Sequence, residues 1–240
     1  MSCVWKEKTI EAGKVNEKIT YLHCQSVGHS RKRNKSVDEK MIENFNRRVR
    51  HLSRLINCNF GVNDYFVTLT YSNEASEQLL SNMTSDVDDA EYEYCEANKE
   101  IRSLIDRCRY HCKRHGIRFL CIYVTSNMDS DHGNPTRIHH HLLVNREAIE
   151  ILTIQWTNGY VDAEPLKDQL DYIEIASYML NQVPYVKGKD TYGRTCNLEV
   201  PIVATRTLLD PNERLLAPEG ATILKSSNNY LRYAFENKVE

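Results

Sequence analysis

The stretch "RIHHHLLVN", residues 137–145, decides how this chain is read. Its aliphatic end, Leu142, Leu143 and Val144, has the composition of a strand buried in the centre of a sheet. Successive side chains on a strand leave opposite faces, so His139 and His141 project together and His140 projects away. Two imidazoles two residues apart can hold one divalent cation between them. The plain alternative is a surface cluster, in a chain with nine histidines. The apolar continuation places the pair in a sheet centre and favours the metal reading.

Working outward, "IRFLCIYVTS" (117–126) and "DYFVTLTYS" (64–72) are rich in β-branched and aromatic residues and read as neighbouring strands. Residues 160–166 also read as extended. A first amphipathic helix begins at the capping box "SVDE" and carries Val37, Met41, Phe45, Val49, Leu52 and Ile56 on one stripe, ending near Asn57. After an acidic linker a second repeats the pattern through Tyr94, Ala97, Ile101, Leu104, Ile105, Cys108 and Cys112, and Gly116 closes it. Asn145 can cap a helix containing Ile149, Leu152 and Trp156. "DYIEIASYMLNQ" (171–182) reads as a helix stopped by Pro184. Residues 1–35 read as an N-terminal arm with one short strand at 18–22, residues 36–183 as the main domain, and residues 184–240 as a C-terminal extension packed on that domain. The extension mixes turns and short strands and closes on an aromatic helix or strand, "NNYLRYAFENK".

The net charge of −2 conceals segregation. Arg31, Lys32, Arg33, Lys35, Lys40, Arg47, Arg48, Arg50 and Arg54 make the first quarter basic. Arg102, Arg107, Arg109, Lys113, Arg114 and Arg118 form a second basic block, and the acidic residues between Asp86 and Glu100 offset both. Such blocks are either solvated helix faces or one positive face able to hold a phosphate backbone. The eight cysteines form no C-x-x-C pair and read as reduced thiols, several buried. Cys108, His111, Cys112 and His115 resemble a zinc set, but four ligands from two helical turns cannot converge tetrahedrally. No apolar run of about 18 residues and no signal peptide occur, so a cytoplasmic protein without a membrane partner is expected.

Taken in order, "NFNRRVRHLSRLINCNFGVNDYFVTLTYS", "IYVTS…RIHHHLLVN" and "WTNGYVDAEPLKDQLDYIEIASYMLNQ" resemble rolling-circle replication initiators of the HUH endonuclease superfamily. The likeness is to the replication-associated proteins of phages, plasmids and integrated elements, the group that includes filamentous-phage gene II proteins. It covers about residues 36–183. It implies an α+β fold with a central five-stranded, mainly antiparallel sheet flanked by helices, related to the RRM and ferredoxin-like core. It also implies His139 and His141 as metal ligands, with His140 in the variable middle place, and Tyr178 as nucleophile. The implied chemistry is transesterification with Mg²⁺ or Mn²⁺: Tyr178 attacks a phosphodiester of single-stranded or hairpin origin DNA and forms a 5′-phosphotyrosine link. Relatives usually carry an acidic residue where this chain has Ser126, so a third ligand would come from Asn127, Asp129, Asp131 or Glu174. They usually carry lysine where this chain has Asn181. Arg47, Arg48, Arg50, Arg54, Arg137 and Asn181 are the candidates for contact with DNA phosphates.

Three readings follow: a nicking and joining enzyme, an origin-binding relative that does not cleave, and a metal-dependent phosphoesterase in which Tyr178 only packs. On the first, His140→Ala should largely spare activity. Gln182 stands where a two-tyrosine initiator has its second tyrosine, so one tyrosine does the work. The chain has no G-x-x-x-x-G-K-[ST] stretch, so a host helicase and polymerase are the expected partners.

Overall fold

A computed structural model of the chain describes residues 3–24, 36–81, 89–128, 134–183, 191–210 and 215–236. Their elements, in order, are β1 (Cys3–Ala12), β2 (Val15–Cys24), α1 (Val37–Asn59), β3 (Tyr65–Tyr71), α2 (Asn73–Leu80), α3 (Asp89–Arg114), β4 (Cys121–Met128), β5 (Pro135–Val144), α4 (Ile149–Gln155), β6 (Gly159–Pro165), α5 (Ile173–Asn181), β7 (Gly193–Arg194), β8 (Ile202–Thr207), β9 (Thr222–Ser227) and β10 (Tyr230–Ala234). The fold is α+β, with two antiparallel five-stranded sheets ordered β8-β1-β2-β10-β9 and β6-β3-β5-β4-β7. The resemblance leads one to expect a single central sheet, and the second of these is that sheet. The chain divides into two compact units, the first comprising Met1–Asn59, Gln169–Ala176 and Glu199–Glu240, the second Phe60–Asp168 and Ser177–Leu198.

In the first unit, residues 3–24 form a full hairpin rather than an arm with one short strand. Ala12 pairs with Val15 at the turn, and Cys3 with Cys24 at the open end. There the two Cα atoms lie 4.1 Å apart and the sulfurs are bonded, which corrects the reading of all eight cysteines as thiols. Gly13 has φ +58°, and a Cβ on it would fall 1.9 Å from the carbonyl oxygen of Asn57 on α1, so no other residue fits there. The start of α1 has both halves of its capping box: Ser36 N–H donates to Glu39 Oε2 at 2.9 Å, and Glu39 N–H donates to Ser36 Oγ at 3.1 Å. The closing aromatic segment resolves as the strand β10, paired with β2 and β9.

Arg232 of β10, 1% exposed, is the centre of the unit's buried polar network. Its Nη1 donates to Glu17 Oε1, and its Nε and Nη2 donate as a fork to the carboxylate of Asp171, each at 2.7 Å. Arg54 forks onto the same Glu17 at 2.9 and 2.7 Å. Burial alone would raise the Glu17 carboxyl, but Arg54 and Arg232 together hold it below its ordinary range.

The second unit runs strand, helices, strand, strand, helix, strand, with β6-β3-β5-β4 in the sheet and the two-residue β7 at the edge. One face packs under α3 and α4: Val67, Leu69, Tyr71, Cys121, Leu142 and Val144 meet Ala97, Ile101, Leu104 and Leu152. Cys108 and Cys112 are fully buried on the same α3 stripe, and burial pushes the Cys108 thiol up to about 12, as expected of packing cysteines. Gly116 closes α3 with φ +70°. Asn145 does not cap the helix after it. Its Oδ1 accepts from Leu120 N–H at 2.8 Å and its Nδ2 donates to the Arg118 carbonyl at 2.7 Å, pinning the entry to β4. The segment after β3, read as linker, contains α2, capped by the Ser72 hydroxyl accepting from Ala75 N–H. Among the described residues no helix is long and apolar enough to cross a membrane.

Candidate functional site

The pairing of β5 with both neighbours fixes which histidine faces where. Thr68, His141 and Val124 stand opposite one another across β3, β5 and β4, as do Thr70, His139 and Ser126. Leu69, His140 and Thr125 form the row between, and paired residues share a face. His139 and His141 therefore lie on the face away from α3 and α4, and His140 lies under those helices.

On the open face, Nε2 of His139 and Nε2 of His141 are 3.1 Å apart. Oε1 of Gln182, in the turn after α5, lies 3.0 Å from the second and 3.4 Å from the first. The other ring nitrogens decide the protonation. Nδ1 of His139 is 2.8 Å from the Arg137 carbonyl, which can only accept, so Nδ1 carries a hydrogen and Nε2 is the nitrogen turned toward His141. Nδ1 of His141 is 3.1 Å from Thr68 Oγ1. Burial, with His139 beside it, pushes His141 down to about 4, so the ring is neutral near pH 7. Oε1 of Gln182 can only accept, so Nε2 of His141 donates to it, and two imidazole nitrogens and an amide oxygen converge. The Nε2 of Gln182 is buried without a hydrogen-bond partner, so the amide turns its acceptor to the histidines at the cost of its donor.

Ser126 is fully buried, and its hydroxyl donates to the Gln182 carbonyl at 2.5 Å while accepting from Met128 N–H at 3.1 Å. The serine in the acidic place is a clasp on the residue that supplies the amide oxygen. Tyr178, 41% exposed, lies one helical turn before Gln182. Its ring centroid is 5.4 Å from that of His141 and 5.8 Å from that of Phe66. All of these residues belong to the second unit.

A match to a protein-family model bears on this arrangement. The model, described as the replication-associated protein of the ORF2 and gene II protein type, matches residues 64–183, half of the chain. The chain belongs to this family. The matched span runs from the start of β3 past α5 and so contains both histidines, Tyr178 and Gln182. Membership makes this a replication-associated protein, and with that a DNA-binding one. No curated protein and no solved structure matches the chain.

The remaining candidates of this replication-associated protein fall in several places. Asn127 sits at the irregularity in β4, and its Oδ1 is buried without a hydrogen-bond partner. Asp129 and Asp131 lie outside the described residues. Glu174 is exposed in the first turn of α5, in the stretch counted with the first unit. Asn181 is exposed at the end of the same helix. Arg137 holds Asn73 Oδ1 at 2.9 Å and keeps an exposed guanidinium beside the histidine strand. Arg47 is exposed and donates to Asn44, while Arg48 and Arg50 are half-buried. Arg54 is engaged on two nitrogens by Glu17, which accounts for it structurally. Among the described residues no three His, Cys, Asp or Glu side chains converge, and the amide oxygen of Gln182 lies within 3.4 Å of both histidine Nε2 atoms. The signal was its place four residues after Tyr178, where one helical turn returns to the same face.

His140 proves to be more than the variable middle residue. It is fully buried, and Thr125 spends its one hydroxyl hydrogen on Asn98 Oδ1, 3.1 Å away. Thr125 Oγ1 therefore accepts from His140 Nδ1–H at 3.0 Å, and His140 Nε2 accepts from the Tyr71 hydroxyl at 2.8 Å. Burial, with the flanking histidines, pushes its pKa down to about 3. Removing this ring would orphan the buried Tyr71 hydroxyl, so His140→Ala carries a cost in stability beside the expectation that it largely spares activity.

Proposed function

We propose that this chain nicks and rejoins single-stranded or hairpin origin DNA by tyrosine transesterification, with Mg²⁺ or Mn²⁺ at His139, His141 and Gln182. The observation that carries the reading is the convergence of two imidazole nitrogens and an amide oxygen beside the exposed ring of Tyr178. The donor set fits a divalent cation: two imidazoles on one strand face and one amide oxygen from the turn after α5. Two nitrogen donors favour Mn²⁺ over Mg²⁺. Such a cation, when bound, supplies Lewis acidity at a phosphate oxygen.

The protein's own groups do the rest. Phe66 and His141 flank the Tyr178 ring and aim its hydroxyl at the strand held over the sheet. The phenol oxygen loses its proton and bonds to phosphorus, and the bond from phosphorus to the 3′ oxygen breaks. That oxygen takes up a proton and leaves as a free 3′-hydroxyl able to prime synthesis, with the 5′ phosphate on Tyr178. Attack by a 3′-hydroxyl reverses the step and restores the phenol. Ser126 positions Gln182 through its backbone carbonyl, which gives this serine a part in the site. Arg137 offers charge to the backbone, and Asn181 offers an uncharged amide. Unwinding falls to a host helicase and extension to a host polymerase.

The test is incubation with Mn²⁺ and a library of single-stranded oligonucleotides, followed by denaturing electrophoresis. A covalent adduct that vanishes in Tyr178→Phe supports the reading, and Gln182→Ala should weaken Mn²⁺ binding by about 10–100-fold. An adduct that survives Tyr178→Phe, or DNA and Mn²⁺ binding with no adduct on any sequence, sinks it.

A further inference from the structure

A cleft of about 440 Å³ opens in the second unit on the face of the sheet opposite His139 and His141. Tyr123 and Thr125 of β4 pair with Leu142 and His140, which places both on that face. Asn98 and Arg102 come from α3, and Tyr192 and Arg194 come from β7 and its approach. The volume lies in the range of small-ligand sites, roughly 300–1,000 Å³, but the lining is polar where such sites are mostly apolar.

The cleft is built for its guanidinium groups. A Cβ at residue 193 would fall 2.1 Å from Cζ and 2.4 Å from the phenol oxygen of Tyr123, so only glycine lets that ring lie across β7. Arg102 lies close enough to the same phenol for its positive charge to offset part of the rise that burial imposes on Tyr123. The floor is neutral and already satisfied, since Thr125 bonds both Asn98 and His140. Neither Arg102 nor Arg194 has a carboxylate ion-pair partner among the described residues. Two positive charges without a carboxylate partner among the described residues therefore share the cleft lining with Tyr192.

We propose that this cleft binds one nucleotide, its phosphate on Arg102 and Arg194 and its base against Tyr192. Forked guanidinium groups match a phosphate, and a tyrosine face stacks any base at about 1–3 kcal/mol. The nucleotide is either one unit of a single strand passing the edge of the sheet or a free mononucleotide. The proposal shares with the nicking reading only DNA as a partner and needs neither the metal nor the nucleophile.

The test uses full-length Tyr178→Phe protein in EDTA, where no cleavage can occur. Anisotropy of a labelled single-stranded oligonucleotide is followed against salt for this protein and for the same protein with R102Q and R194Q. A strand nucleotide predicts about tenfold weaker binding in the double variant, and a salt slope flatter by about 0.7 for the lost phosphate contact. Tyr192→Ala should weaken binding without changing the slope. A free nucleotide predicts instead that deoxynucleoside monophosphates bind by calorimetry, lose binding in the double variant and leave the oligonucleotide unaffected. Unchanged binding of both probes in a double variant that melts like its parent overturns the proposal, as does failure of both to bind the parent. Nicking is scored separately in Tyr178-intact protein, so its loss with cleft binding preserved condemns the nicking reading alone.

Discussion

The two sheets bury polar groups in opposite ways. In the first unit opposite charges are buried together: Arg232 lies between Glu17 and Asp171, and Arg54 takes up the rest of Glu17. In the second unit the helix-covered face carries a neutral chain, with Tyr71, His140, Thr125 and Asn98 passing hydrogen bonds along it. On the opposite face His139, His141 and Gln182 bring two imidazoles and an amide oxygen together. Buried charges that meet their opposites hold a fold, and converging ligand atoms are a place where something else can bind.

The contrast can be broken at its strongest point first. Arg232→Met leaves Glu17 and Asp171 as uncompensated buried charges and should cost about 3–5 kcal/mol in chemical denaturation. A loss below about 1 kcal/mol would mean that the network is wetter than its burial indicates. His140→Leu should cost about 1–3 kcal/mol by stranding the Tyr71 hydroxyl. Adding Tyr71→Phe should recover part of that, and strict additivity of the two would show that the chain is not coupled.

Acid should separate the units by their charge states. Glu17 stays ionised to lower pH in the folded protein than its ordinary 4.5, so its stabilisation is whole above that value and fades below it. His140 and His141 stay neutral in the fold, down to about 3 and about 4, while the unfolded chain takes up protons below 6.5. Their stabilisation is whole above 6.5 and is lost as pH falls toward those lower values, by up to about 1.4 kcal/mol per pH unit for each ring. Without metal, denaturation followed from about pH 7.5 to about 5 should show a fall that H140L reduces. A flat profile would place both rings in water. The smallest effect belongs to Ser36→Ala, which removes one half of the α1 capping box and should cost about 1 kcal/mol, seen as a lowered melting temperature.

Much of this was legible from residues alone. The period-two alternation of "RIHHHLLVN" separated His140 from its neighbours, and the register agrees because each β5 row meets a matching row on β3 and β4. The stripe from Tyr94 to Cys112 was legible for the same reason, since burial on one helix follows from local spacing. The first sheet was not legible. β8 and β9 are exposed at every position, so neither strand shows an alternating pattern. β2 finds its partner in β10 near the far end of the chain, and no local period encodes that pairing. The bonded pair Cys3 and Cys24 was missed with it, because only the hairpin register brings the two opposite.

The sequence by itself determined the main strands of the second sheet, the stripes of α1 and α3 and which histidines share a face, because these depend on neighbours within one turn or one pleat. Only the tertiary structure decided what completes the histidine pair. Gln182 reaches His141 from a different element, held by the Ser126 hydroxyl, and its spacing from Tyr178 shows a shared helix face but not which strand that face meets. Tertiary packing likewise made His140 a buried link and Arg54 half of an ion pair, since burial and partner are properties of the folded chain rather than of the residue.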